Sequence, residues 1–386
     1  LPAAPLAAPA IGDTRSWNEV YGNTGPYNTV VKATCPLSTG RNAVFWVDPA
    51  ATTAGTVTNA NINYFQQVFC GNPGGYADVV AALGDVWGPG AAPYSNVIQD
   101  GNPGLLDFNI VFLQVNPPQN NWAGYFSAIN NYKKTYSAQT AGSNEALVFF
   151  IDASQVARSQ PYIGSALLHE MTHMVNFYQR GVVRGSPHDI WLEEMTAMMT
   201  EDIVTPTVSP GRYSTIPSQR VGPYVGSGGA ISLMHWDYPV HDNYANGGSL
   251  AGLLDRKYGT AIWTGAVTCN ASTSWACIDG VIRGAGGAGF ADEFARLGAT
   301  IFGLVPTPSA PAGYGFPQRS AGIYTLDSID TMTYAARRPA TATALGVSFD
   351  PGTHTYQIDT IPAGTTRYRR TGVLVPAGTT LMLVIK

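Results

Sequence analysis

Apolar residues along this chain cluster in short runs that follow two periods. Asn42 to Val47 (NAVFWV), Phe108 to Val115 (FNIVFLQV) and Ala146 to Ile151 (ALVFFI) are compact apolar runs, which predict strands. Ile62 to Phe69 is too short to separate helix from strand, whereas Ala77 to Val86 reads as a helix. From Ile163 onward the spacing is helical: Leu167, Met171, Met174, Val175 and Tyr178 follow. Ser159 and Pro161 stand where an N-cap and a first-turn proline belong, and Gly181 offers a stop. Ser186 and Pro187 open a second helix in the same way. Leu250 to Tyr258, ending at Gly259, and Phe290 to Leu297 predict further helices, with Gly-rich loops at Ser227 to Gly229 and Gly284 to Gly289. Residues 1 to about 30 are rich in Pro, Gly and Asn and predict irregular chain. From about residue 340 the pattern alternates, as in Thr355 to Ile358 and Gly372 to Val375. The turn sequence Pro-Ala-Gly-Thr occurs there twice, at Pro362 to Thr365 and Pro376 to Thr379, predicting a small antiparallel β unit. The expected class is α+β: an N-terminal region over 1–100 (β-rich or irregular), a central domain over 101–335 and a C-terminal β unit over 336–386.

Composition narrows the setting. The 386 residues are 45% apolar, enough for a sizeable core, but only 12% charged, about half the usual share. The net charge is −4, and no basic cluster marks a nucleic-acid footprint. No apolar run reaches the ~18 residues of a membrane span. Four cysteines are present, none in a C-x-x-C pair. The pairing Cys35–Cys70 and Cys269–Cys277 costs the least loop closure, so it is favoured over other connectivities or free thiols. The chain starts Leu-Pro-Ala-Ala-Pro without an initiator Met, which reads as a mature terminus left after processing, as by removal of a signal. Low charge, abundant Gly (43) and Pro (27) and paired cysteines together predict an extracellular, monomeric protein.

Chemistry enters at His169-Glu170-Met171-Thr172-His173. Residues four apart share a helix face, so the two imidazoles can grip one metal ion while Glu170 serves as general base toward an activated water. The histidines fall in the apolar stretch of their helix, where a polar group needs a partner and a metal provides one. A catalytic zinc takes three protein ligands and keeps one open position. The next acidic cluster, some twenty residues on, is Trp191-Leu192-Glu193-Glu194-Met195-Thr196-Ala197, followed by Glu201-Asp202. Glu201 lies seven residues past Glu194, on the same helix face, where a carboxylate could accept the free N–H of a metal-bound imidazole; Asp202 competes for that role. His188 precedes this helix and reads as structural.

H-E-x-x-H followed by a helix carrying W-L-x-E resembles the gluzincin zinc peptidases. The likeness is tightest with the hyicolysin-type secreted peptidases, through His169 to Phe177 and Trp191 to Asp202. Gly124-Tyr125-Phe126 and Ser143-Asn144-Glu145 add to it, and the whole covers roughly residues 100 to 265. The resemblance implies a mixed sheet with an active-site helix followed by a helical subdomain, and Glu194 as the third ligand to one catalytic zinc. The segment Tyr244 to Leu250 is similar to the Tyr-x-x-Gly segment that carries the oxyanion-binding tyrosine of gluzincin aminopeptidases. Tyr244 is therefore the candidate donor, with His235, His241 and Tyr238 behind it. The Gly-x-Met-x-Asn segment of those aminopeptidases is absent, so endopeptidase action on proteins or peptides is expected. Strand order and the family architecture suggest Ala146 to Ile151 as the edge to which substrate adds. No D-x-[DN]-x-[DN]-G loop supports a structural calcium. The competing functions are a catalytically silent secreted binding or adhesion protein, and a zinc hydrolase of non-peptide amides.

Overall fold

The computed structural model describes residues 9–22, 25–101, 105–115, 122–236, 242–322, 324–340, 352–373 and 375–385. The predicted Pro/Ala lead, Tyr238 and His241 lie outside these residues. The chain forms two compact units: Leu1–His188, Thr200–Ser214 and Trp263–Asn270; and Asp189–Met199, Thr215–Ile262 and Ala271–Lys386.

The first unit runs β1 (Thr14–Trp17), β2 (Tyr27–Pro36), β3 (Asn42–Val47), α1 (Pro49–Thr53), α2 (Asn59–Cys70), α3 (Gly75–Leu83), β4 (Phe108–Leu113), β5 (Gly124–Phe126), β6 (Leu147–Asp152), α4 (Ala153–Arg158) and α5 (Gln160–Asn176). Helix α6 (Ile190–Ile203) follows, its residues through Met199 belonging to the second unit and the rest to the first, and then the short α7 (Thr205–Val208) of the first. The strands make one sheet in the order β1-β2-β3-β4-β6-β5. β3, β4 and β6 are parallel to one another, while β1, β2 and β5 pair antiparallel. The irregular start predicted for residues 1–30 therefore already contains β1 and the beginning of β2. The ambiguous run at Ile62 resolves as helix α2, because Thr58 and Asn61 close a capping box at its start.

Both sheet faces are covered, which is why its strands read as unbroken apolar runs rather than alternation. On one face Trp46, Val111, Val148 and Phe150 form a core with Trp17, Val31 and Tyr125. On the other, Phe112 stacks on Phe65 of α2 at 5.3 Å, and Phe108 meets Phe69, Tyr76 and Phe149. Each of these rings is almost wholly buried, so truncating one to Ala should cost roughly 3–5 kcal/mol. A disulfide joins Cys35 of β2 to Cys70 of α2. Cys269 and Cys277 are disulfide-bonded as well, and no cysteine is free.

The sheet edge differs from expectation. β6 is flanked by β4 and β5, so its hydrogen-bonding groups are used on both sides. The edge is β5, only three residues long. It is anchored from the N-terminal segment: Tyr125 donates its hydroxyl to Glu19 at 2.7 Å and accepts from the Val20 N–H. Asn18 and Asn144 exchange two further hydrogen bonds, each 2.9 Å. Burial, and then the adjacent Glu19 carboxylate, push the Tyr125 hydroxyl far above its ordinary pKa, so it remains a donor.

The second unit is mostly helical, with α8 (Gly222–Ser227), α9 (Asp242–Tyr258), α11 (Ser274–Gly284), α12 (Phe290–Phe302) and a hairpin of β7 (Arg319–Ala321) with β8 (Tyr324–Leu326); α10 (Thr260–Thr268) leads from it back to the first unit. α9 starts earlier than predicted and stops where Gly259 takes a left-handed φ of 68°. His354 plugs this helical unit. Its ring stacks on Phe294 at 4.0 Å, receives the Tyr224 hydroxyl at Nδ1 (2.7 Å) and lies 2.8 Å from the Phe294 carbonyl at Nε2. The expected C-terminal strands are not formed: among the described residues no strand follows Leu326. Both Pro-Ala-Gly-Thr sequences do make turns, closed by the Thr365 and Thr379 N–H groups. The flanking apolar side chains stay exposed, Leu383 at 78% and Ile385 at 75%, so no buried face rewards a ladder.

Candidate metal centre

The helix that carries both histidines is α5, capped by Ser159 with Pro161 in its first turn, as its sequence predicts. It is apolar around most of its circumference because it packs on α2, α3, β5 and β6. Gly181 does not end it. A π-helical turn, Phe177–Val182, continues the axis, and a Cβ at Gly181 would stand 3.1 Å from the Phe177 ring. That glycine leaves room for Phe177.

His169 and His173 stack edge to face, ring centroids 4.7 Å apart, one turn along α5. Their nitrogens and a carboxylate oxygen of Glu194 all lie within 4.8 Å of one another, as one metal ion requires. His169 Nδ1 is 2.8 Å from Glu201 Oε1. An ionised carboxylate only accepts, so the imidazole carries its proton on Nδ1 and turns Nε2 toward the other donors. Glu194 and Glu201 share one face of α6, two turns apart. Asp202 is engaged elsewhere, accepting from Ser214 at 3.3 Å.

Glu170 receives the Phe126 N–H at 2.8 Å. Glu170 is thus tied to the main chain of edge strand β5. The register explains why that N–H is available. Ala123 pairs with Asp152 through a ladder bond, so Gly124 and Phe126 sit at the non-bonded positions and turn their N–H and C=O groups outward. A Cβ on Gly124 would come within 2.7 Å of Ile151 Cδ1 and 3.3 Å of Glu170 Cγ, so a larger residue there crowds Glu170.

Tyr244 donates its hydroxyl to Glu194 Oε1 at 3.0 Å, with Trp236 edge-on to its ring. Of the other oxyanion candidates, His235 is exposed, and His241 and Tyr238 lie outside the described residues. His188 bonds the Ala266 carbonyl at 3.0 Å, a structural contact.

The donor set fits a divalent cation. Glu170, Glu194 and Glu201 are 7%, 6% and 3% exposed and crowd the two imidazoles. Carboxylates this buried need compensating positive charge. Two His nitrogens and one carboxylate oxygen are the ligand types that suit zinc.

Sequence reasoning marked Gly124-Tyr125-Phe126 only through the family resemblance and assigned no role to the backbone of β5, to Gly124 or to the Glu19–Tyr125 anchor. A three-residue strand carries no periodic signal, and a main-chain donor leaves no trace in side-chain identity.

A family model described as Peptidase M30 matches residues 23–386. No curated protein matches the chain.

Proposed function

The chain belongs to the peptidase M30 family, and on that premise we propose that it is a secreted zinc endopeptidase whose metal is held by His169, His173 and Glu194. The observation that carries the reading is the convergence of those three residues' donor atoms within 4.8 Å. Zinc bound there supplies Lewis acidity, lowering the pKa of a water toward neutrality and polarising the scissile carbonyl.

The protein's own residues do the rest. Glu201 fixes the His169 tautomer and raises the basicity of Nε2. Glu170 takes a proton from the attacking water and returns it to the leaving amine, held in place meanwhile by the Phe126 N–H. Tyr244 holds Glu194 at rest; swung off that carboxylate, its hydroxyl serves as donor to the oxyanion. Substrate adds to β5 as a further antiparallel strand, using the outward N–H and C=O of Gly124 and the C=O of Phe126, whose N–H stays on Glu170. The disulfides suit an oxidising compartment, and among the described residues no helix is long and apolar enough to cross a membrane.

The test is metal analysis combined with digestion of casein and of peptides blocked at both ends, on wild type and Glu170→Gln. One zinc per chain with cleavage abolished by the substitution is expected. Zinc without proteolysis in the wild type sinks the reading and points to a binding protein or a non-peptide amidase. Cleavage only from free amino ends overturns the endopeptidase assignment.

A further inference from the structure

We propose that Phe126, Phe177 and Tyr132 form a substrate side-chain subsite that selects a large apolar, preferably aromatic, residue next to the scissile bond. This rests on the peptidase reading above. Phe177 stands one helical turn beyond His173, on the same face. Phe126 is the residue whose N–H holds Glu170. Their rings lie 6.1 Å apart, and Tyr132 meets Phe177 edge-on at 5.7 Å. All three are partly exposed, while the ring behind them, Trp87, is fully buried and stacks on Phe177 at 6.3 Å. Tyr136, 55% exposed, extends the wall by stacking on Tyr132 at 5.4 Å.

The geometry follows from strand addition. Side chains alternate across a sheet, and Tyr125 faces the core cluster on the far side. Phe126 therefore faces the α5 side, and so does every second residue of a strand laid along β5. A substrate side chain on that side meets Phe126 and Phe177 within reach of Glu170. The wall offers ring faces and edges, and none of its three rings is ionised at neutral pH. An aromatic or long aliphatic side chain gains from covering it, whereas a carboxylate loses hydration with nothing in return. Gly181 borders the same feature, since a Cβ there would press on the Phe177 ring at 3.1 Å.

Two measurements separate this proposal from the assignment it rests on. The zinc-loaded Glu170→Gln protein is titrated calorimetrically with doubly blocked hexapeptides that differ only at the central residue: Phe, Leu, Gly or Glu. Roughly tenfold to a hundredfold tighter binding of the Phe peptide than of the Gly or Glu peptides is expected, with Leu between. Phe126→Ala and Tyr132→Ala in the same background should level the series. Phe177→Leu, which keeps apolar bulk if Phe177→Ala fails to fold, should weaken Phe selectively and spare Leu. In parallel, cleavage-site profiling of a denatured protein digest with the active enzyme should show large apolar residues enriched at one position flanking the cut, and Phe126→Ala should flatten that enrichment. Equal binding of all four peptides, or enrichment untouched by Phe126→Ala, overturns the subsite. Graded binding without any cleavage by the wild type leaves the subsite standing and refutes only the hydrolase reading.

Discussion

The contact between His169 Nδ1 and Glu201 Oε1 gives the sharpest quantitative test of the centre. The bond is 2.8 Å long and its partners are only 9% and 4% exposed, so solvent screens it little. A hydrogen bond to a charged group is worth roughly 1.5–3 kcal/mol. If that energy is spent on presenting Nε2 to the metal, removing Glu201 should weaken zinc binding by about 10- to 100-fold, as for other carboxylates behind metal-bound histidines. Glu201→Ala removes the acceptor and leaves a buried N–H without it. Glu201→Gln keeps an acceptor oxygen but discards the charge, so its zinc affinity should fall between wild type and Glu201→Ala. The assay is competition against a chromophoric chelator at pH 7.5, with circular dichroism confirming an unchanged fold. A Glu201→Ala protein that folds normally and binds zinc within twofold of wild type refutes the orienting role. So does an affinity for Glu201→Gln as low as for Glu201→Ala.

Three further outcomes follow from the same geometry. Tyr244→Phe should lower kcat by about 10²- to 10³-fold with little change in zinc affinity if the hydroxyl reaches the oxyanion; a loss confined to zinc affinity would reduce Tyr244 to a support for Glu194. Gly124→Ala, which crowds Glu170 Cγ, should cost about 1 kcal/mol of stability and roughly tenfold in kcat at unchanged zinc affinity, and an unaltered kcat would show that the base tolerates the intrusion. Burial holds His354 down to about 4, below its ordinary 6.5. Its contribution to stability is therefore complete above pH 6.5, declines as the pH falls and is exhausted below about 4. Urea denaturation at pH 7.5 and 4.5 should differ by roughly 2–3 kcal/mol on this account, and His354→Gln should remove that part of the difference; an equal pH dependence in the variant would exclude His354 as its source.

The parts of this molecule that were legible in the sequence are those where chemistry or packing repeats. His169, Glu170 and His173 announce themselves by spacing, and the helix around them by Ser159, Pro161 and a run of apolar residues. β3, β4 and β6 were visible because burial on both faces makes them apolar throughout. What stayed hidden depends on distant partners. Phe126 acts through its main chain, and nothing local distinguishes β5 from a turn. Gly181 looks like a helix stop, yet what it does is clear a path for a ring four residues earlier. The alternating tail carries strand chemistry, but with its apolar side chains in solvent and no sheet to join, propensity alone makes no ladder.

The anchoring of β5 has a bearing on how the chain reaches its native state. Tyr125 is held by Glu19, 106 residues away, and Asn144 by Asn18, 126 residues away. Contacts this remote close late, because the entropy of the intervening loop must be overcome before they give any return. The segment that steadies Glu170, and that we propose presents substrate, is thus completed only when the two ends of the sheet region have met. On the proposed reading, the helix that carries His169 and His173 is built from local contacts, whereas the edge beside Glu170 depends on these remote ones.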